Sequence, residues 1–521
     1  MPLTGLQLTI PAQNSNRPGV KIKPREVCAW LEDLPYMDLR RAARAASRQL
    51  RLMNRQTLTP AARLEILGYF LGTYQRLNES LPAQAVDADA LRPVLKRLCQ
   101  SIGFGYKIVA HELINKRGGF IETRNLPLAL LGSIYTLGLQ LSYYYAGYQR
   151  APRALWSECL SLYNYAWQSG RESYSAELPG SGKIQIETAF RQIALLRLAD
   201  PYCLPAGMIP LLRKYFEAHG GLVSIENDTD TGAGIALTAI EHSGGTTVDT
   251  PLLLKFAGLL QQMGKDISLL QQHGQSQALG LRTEVPAATL LRTLQQLHDR
   301  WQNQRTRSAE RHPAHARIDL VSGLDAAYCV LNKDRWFNPD LFLTAGQIDV
   351  TDPDTRPSPD SAQRKAPALF TCTSINRSSG GLAISYCGTQ TAHLHVGHLV
   401  ALRRPGEKTS AGWVIAAVRW LMEAESGSGI DLGLQYLARE PGAVVICIKD
   451  ASGLGSHYQP AVSAVQKRGQ QRVHTLITRR SGTELGAEVT MHEPSGVLHK
   501  IRCTELLETA AGFERFIYEF A

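Results

Sequence analysis

The 521-residue chain has no CxxC pair, and its nine cysteines stand singly and in odd number. That pattern argues against a disulfide framework and against a structural zinc site, and it fits a reducing compartment. The N-terminus, MPLTGLQLTIPAQNSNRPGVKIKPRE, lacks the basic start, apolar run and small-residue cleavage site of a secretory leader. A cytoplasmic location is therefore expected. Long apolar runs are scarce as well. One stretch, Asn125 to Gln149, has 25 residues without a charge, but it carries Pro127, Gln140 and a Tyr143–Tyr145 cluster. It reads as a buried helix of a large helical domain, and no membrane span is expected.

Enzyme signatures are missing too. Gly180-Ser-Gly-Lys183 is not a phosphate-binding loop, because Glu177 stands where the first glycine belongs and Ile184 follows the lysine. His111-Glu112 has Asn115 where a zinc-binding helix needs its second histidine. Both motifs read as surface loops. Gly232-Ala-Gly234 lacks the third glycine of a dinucleotide fingerprint. His393 and His395 share a strand face, but no cysteine or carboxylate nearby completes a metal shell. No triad or paired-carboxylate site can be named, so neither catalysis nor a cofactor is expected.

What is present is a folded, soluble composition, 44% hydrophobic and 20% charged, on a chain long enough for several domains. The formal charge is +10, and residues 1–124 hold 19 Lys+Arg against 10 Asp+Glu. That basic quarter is available to an acidic partner, although no motif or aromatic-interleaved stripe marks it for nucleic acid.

After an extended segment at 1–24, residues 25–303 show apolar positions recurring at three- and four-residue spacing, the pattern of an all-α domain. In LRRAARAASRQLRLMNRQ, the residues Leu39, Ala43, Ala46, Leu50 and Met53 share one face and arginines take the others. Thr59-Pro60 supplies an N-cap and a first-turn proline for the next helix. The Gly-, Thr- and Asp-rich stretch 220–251 breaks the helical pattern, as a small β excursion or a long loop.

Beyond Arg305 the period shortens. ARIDLVSG, ALFTCTSI, GLAISYC, HLVALRRP, GWVIAAVRWL and IDLGLQYLA are partly alternating segments bounded by turn residues, which predicts a small antiparallel barrel over 304–440. Residues 332–365 are too polar and proline-rich to pack and are expected to form an exposed inserted loop. A second β run, AVVICIKD, VHTLITRR, GAEVTMHE and LHKIRCTELLE, predicts another small β domain over 441–521.

Two short motifs frame the first β run: Arg307-Ser-Ala-Glu-Arg311, an RxxxR, ahead of the first strand, and Asn376-Arg-Ser378-Ser-Gly-Gly381, an NxSxxG, after the second. Paired guanidiniums grip phosphate oxygens and the O6/N7 edge of guanine. Short polar side chains and glycines let a backbone turn come close to a ligand. The two motifs in this order, with the Val418-Arg-Trp420 step and Gly433 downstream, resemble the nucleotide-binding signature of PilZ domains, the bacterial receptors for cyclic di-GMP. The resemblance covers about residues 305–440.

It implies a cyclic di-GMP receptor in which Arg307, Arg311, Asn376, Ser378 and Gly381 hold the ligand. It also implies that the helical domain passes the signal to a protein partner that the sequence does not identify. One departure favours an alternative: 64 residues separate Arg311 from Asn376, more than is usual in the family. On that alternative the chain is an interaction scaffold with a non-binding barrel.

Overall fold

The structure is a computed structural model and describes residues 6–13, 20–80, 86–115, 122–227, 235–236, 252–281, 283, 285–303, 310–342, 348–349, 366–388, 394–405, 412–449, 455–468, 471–480 and 485–521. The chain divides into two compact units, one of residues 1–201 with 209–283 and one of 202–208 with 284–521.

The first unit is built on helices α1 (Pro24–Glu32), α2 (Leu39–Met53), α3 (Pro60–Glu79), α4 (Val86–Asn115), α5 (Leu126–Ala146), α6 (Arg153–Gln168), α7 (Ile186–Leu198), α8 (Met208–His219) and α9 (Ala257–His273). Helix α2 turns Ala42, Ala43, Ala46, Leu50 and Met53 inward, close to the expected face. Helix α3 starts as its sequence dictates: the Thr59 side chain accepts from the Ala62 amide at 3.4 Å, and Pro60 fills the first turn. The uncharged stretch becomes α5, long and apolar enough to cross a membrane, with 78% of its most apolar window buried inside the unit. It packs against α4, α6 and α7.

Two ionic groups sit inside this core. Lys107 and Glu158 pair at 2.7 Å with 3% and 6% of their side chains exposed, and Glu158 also accepts the Thr9 amide. The Arg63 guanidinium, held by the Gln56 carbonyl, is lowered to about 10 by its burial.

Short β elements interrupt the helices. β1 (Ser175–Leu178) and β2 (Gly182–Gln185) form a hairpin, and β3 (Ser224–Asn227), β4 (Ile235–Ala236) and β5 (Leu252–Lys255) form a small sheet. The Gly180–Lys183 motif is thus a hairpin tip. His111 and Glu112 lie within α4, not in a surface loop as expected.

The second unit opens with α10 (Ala287–Asn303) and β6 (His312–Pro313) and continues into two barrels. The first contains β7 (Arg317–Ser322), β9 (Phe370–Arg377), β10 (Gly381–Tyr386), β11 (Leu399–Arg403), β12 (Val414–Glu423) and β13 (Ile430–Ala438), with α11 (Leu324–Leu331) and β8 (Ile348–Asp349) between its first two strands. The second contains β14 (Pro441–Lys449), β15 (Gly455–Arg468), β16 (Gln471–Thr478), β17 (Glu488–His492), β18 (Leu498–Thr509) and β19 (Glu514–Phe520).

In each barrel all six strands pair antiparallel, and the neighbour order around the ring is first, second, third, sixth, fifth, fourth, closing on the first. The second β domain therefore repeats the topology of the first. This is the predicted architecture, a helical N-terminal region followed by antiparallel β domains.

An apolar cluster joins the two barrels, beside a separate cluster around Ile446, Leu476, Ile501 and Phe516 within the second. Helix α11 buries Leu324, Ala327, Tyr328 and Leu331 in a cluster that takes Leu399, Ile415 and Leu437 from the first barrel and Val445, Val462, Ile477 and Phe513 from the second. Full burial of each such side chain contributes roughly 1.5–3 kcal/mol, enough to hold the barrels together.

The expectation of an exposed polar loop over 332–365 is corrected at its start. Phe337 packs edge-on against Tyr328 at 6.2 Å, Phe342 stacks on Tyr458 at 5.6 Å, and β8 pairs parallel with β15. Aromatic residues in an otherwise polar segment find the inter-barrel groove. Residues 343–347 and 350–365 lie outside the described residues.

Candidate functional site

The site is assembled at the end of β9. Its alternating burial puts Phe370, Cys372 and Ser374 into the barrel and leaves Thr371, Thr373 and Ile375 outside. Past Arg377 the chain reverses through Ser378–Gly380 into β10, and the Ser378 amide donates to the Gly381 carbonyl at 2.9 Å. The other edge of β9 is taken by β6, with His312 opposite Arg377 and Pro313 opposite Asn376. The Ala314 amide donates to the Ile375 carbonyl at 3.1 Å, and the Ala316 amide to Ser374 Oγ at 2.8 Å. Arg311 immediately precedes this pairing. Arg311 and the Asn376–Gly381 motif, 64 residues apart in sequence, thus meet at one strand end.

The turn rests on β13. Gly380 accepts from the Tyr436 amide at 3.0 Å, and Gly381 lies opposite Gln435. A Cβ on Gly381 would come within 2.2 Å of the Leu434 carbonyl oxygen, whereas one on Gly380 would meet nothing within 4 Å. Only a residue without a side chain allows so close an approach at position 381.

Positive charge collects around the turn. An Arg439 Nη donates to the Ser379 carbonyl at 2.6 Å, and the guanidinium lies over the Tyr436 ring at 5.0 Å. Burial pushes the Tyr436 hydroxyl up, while Arg439, Arg377 and Arg404 pull it back. Among the described residues, Arg311, Arg377 and Arg439 make no ion pair with a carboxylate. Such a set of forked cations beside an aromatic face and a glycine turn suits a planar, phosphate-bearing ligand.

Of the residues singled out from sequence, the structure brings Arg311, Asn376, Ser378 and Gly381 to this end of the barrel. Arg307 lies outside the described residues. Sequence reading missed Arg377, Arg404, Tyr436 and Arg439. Their signal was available in the NxSxxG motif itself and in the arginines that end β11 and β13, but each stood in what read as a plain strand end.

Behind the turn, a bulge between Val418 and Trp420 disrupts the β12–β13 register. Arg419, the residue it displaces, donates to Gln435 Oε1 at 2.6 Å and makes a two-pronged pair with Glu508 of the second barrel, Nη2 to Oε2 at 2.9 Å. A second bulge, between Leu506 and Glu508, disrupts the β18–β19 register at the other partner. Bulges re-aim side chains, and here each falls at one end of an inter-barrel clamp. Burial would raise the Glu508 carboxyl, but Arg419, Arg515 and Arg292 of α10 hold it below the usual carboxylate range. Trp420 lies over Gly433, whose Cβ would fall 1.7 Å from the indole nitrogen, so the Val-Arg-Trp step and the strand glycine form one feature.

His395 and His398 belong elsewhere. With Trp336 and Phe370 they line a cleft of about 380 Å³ at the opposite end of β9. Their rings meet edge-on at 5.0 Å. Among the described residues no group of three metal-ligating side chains occurs, and His393 lies outside them.

Residues 25–230 match the family described as the N-terminal domain of the cyclic-di-GMP receptor FimW, and residues 344–441 match its middle PilZ domain. The barrel extends beyond the second match, since its first strand starts at Arg317. A protein of Pseudomonas aeruginosa named cyclic-di-GMP receptor FimW is 24% identical over 560 aligned positions, covering 94% of this chain and 89% of that one. No solved structure matches the chain.

Proposed function

The chain belongs to the family of the cyclic-di-GMP receptor FimW, and we propose that it binds cyclic di-GMP in the cytoplasm at the end of β9 and passes the event to a partner protein. The observation that carries this reading is the pairing of His312–Pro313 with Arg377–Asn376, which delivers Arg311 beside the Asn376–Gly381 turn. The RxxxR guanidiniums grip the phosphates, joined by Arg377 and Arg439. Asn376 and Ser378 address the guanine edges, and the bare backbone at Gly381 admits the close approach. The role is binding without catalysis. The nine cysteines stand singly along the sequence with no CxxC pair, a pattern that supports a reducing compartment.

Transmission follows from connectivity. The segment carrying Arg307 and Arg311 continues from α10, whose Arg292 shares the charge field of Arg419 and Glu508. Closing that segment on a dianionic ligand changes the set of charges that α10 meets, an ordering switch driven by an anion. The receptor reading is tested by calorimetric titration of the full chain with cyclic di-GMP and cyclic di-AMP. Saturable binding of the guanine dinucleotide alone supports it. No response to either would overturn it in favour of a non-binding scaffold, and equal responses to both would overturn the guanine recognition assigned to the site.

A further inference from the structure

Helix α2 carries six arginines, at 40, 41, 44, 48, 51 and, one residue past its C-cap, 55; all six are exposed. At 100° per residue the five within the helix fall within about 100° of arc, and 40, 44, 48 and 51 run as one row about 16 Å long, with Arg55 just beyond it. Between residues 39 and 58 there is neither a lysine nor a carboxylate. Among the described residues none of the six arginines is ion-paired. Like charges at i, i+4 destabilise a helix, so the row is kept at a cost in intrinsic helix stability. A groove of about 450 Å³ lies among Arg40, Arg41, Arg44 and Arg48, with Asp38, the helix cap, as its one carboxylate. Gln49 ties the Lys21 carbonyl to the flank of the helix at 3.0 Å, and Met37 stands fully exposed at its entrance.

We propose that this ridge is the docking surface for an acidic α-helix of a partner protein. Arginine throughout, with no lysine, favours groups that accept a two-pronged bond. The repeat of about 6 Å along the row equals the i, i+4 spacing of carboxylates on a facing helix. A bilayer is disfavoured because a helix lying in a lipid surface needs its apolar face free, whereas Ala42, Ala43, Ala46, Leu50 and Met53 are buried in the unit. The inference deepens the proposed function, since it gives the helical domain's partner a face, and it rests on that reading for its biological role but not for the binding.

The test uses the full chain and a fluorescent 20-residue Glu/Ala peptide with glutamates at i, i+4 and i+7, read by anisotropy at about 100 mM salt, where the screening length is about 10 Å. Reversing Arg44→Glu, Arg48→Glu and Arg51→Glu is expected to weaken binding about tenfold or more. Replacing the same three by Gln, which keeps helix propensity, is expected to weaken it in the same direction. A charge-matched control, Lys183→Glu with Lys265→Glu and Arg472→Glu, is expected to leave it within about twofold, since long-range attraction alone is screened. Equal binding by the ridge variants and the parent chain would overturn the proposal. So would tighter binding, through the same arginines, of phosphatidylglycerol vesicles or a short DNA duplex. Cyclic di-GMP binding by the ridge variants is measured in parallel: if it is retained while the peptide is lost, the docking surface stands by itself, and if it is absent from every chain, the receptor reading fails separately.

Discussion

Gly381→Ala and Gly380→Ala place the same methyl group on adjacent residues of one turn and are expected to part company. At 381 the new carbon meets the Leu434 carbonyl oxygen at 2.2 Å, about 1 Å inside ordinary van der Waals contact. The obstacle is backbone, so no rotamer relieves it, and β10 must move away from β13. That movement breaks about two ladder bonds, among them the Tyr436 amide to the Gly380 carbonyl, at roughly 1 kcal/mol each, and adds overpacking strain of roughly 1–3 kcal/mol. The sum is about 3–5 kcal/mol, a fall in Tm of roughly 6–20 °C for a unit of this size. At 380 nothing lies within 4 Å, and a cost under about 0.5 kcal/mol is expected. Differential scanning calorimetry separates the two, and nucleotide titration is expected to show binding lost at 381 and retained at 380. Equal melting of the two variants would refute the argument that the turn is packed against β13.

Three further outcomes are expected. Arg439→Ala removes a cation from the turn while leaving the strands in place, so cyclic di-GMP binding is expected to weaken about tenfold or more by calorimetry with Tm changed by less than about 2 °C. Arg419→Ala breaks the inter-barrel clamp at a cost of about 2 kcal/mol, typical of hydrogen bonds to a charged group. Because Glu508 is held below its ordinary carboxylate value, that stabilisation is present above the unfolded carboxyl value of about 4.3 and is lost as pH falls through the lower folded value; the melting gap between parent and variant is expected to close below roughly pH 4. Lys107→Met leaves Glu158 buried without its cation, and a loss of about 3–5 kcal/mol is expected by urea denaturation.

The helical half was legible wherever periodicity and capping agreed, as at α2 and Thr59-Pro60, and so were ten of the twelve barrel strands. Other features escaped for physical reasons. Helix α11, LDAAYCVL, is apolar all round because both barrels bury it, so it shows no amphipathic period. β15 contains Pro460, which reads as a strand breaker; its ladder with β16 begins only at Val462, so the missing amide costs no bond on that side. The aromatic residues Phe337 and Phe342 were hidden in a segment whose average composition is polar. At the candidate site, the motif residues stood out because glycine and arginine at fixed spacing imply a turn and an anion. Tyr436 and Arg439 did not, since only the closure of β13 on β10 brings them to that turn.

The central claim is that the RxxxR segment and the turn at 376–381 clasp one dinucleotide. Calorimetric titration of cyclic di-GMP into the full chain, beside the Arg307→Ala, Arg311→Ala double variant, tests it most directly. The account predicts saturable heat from the parent and none from a variant that melts at the same temperature; unchanged binding by that folded variant would contradict it.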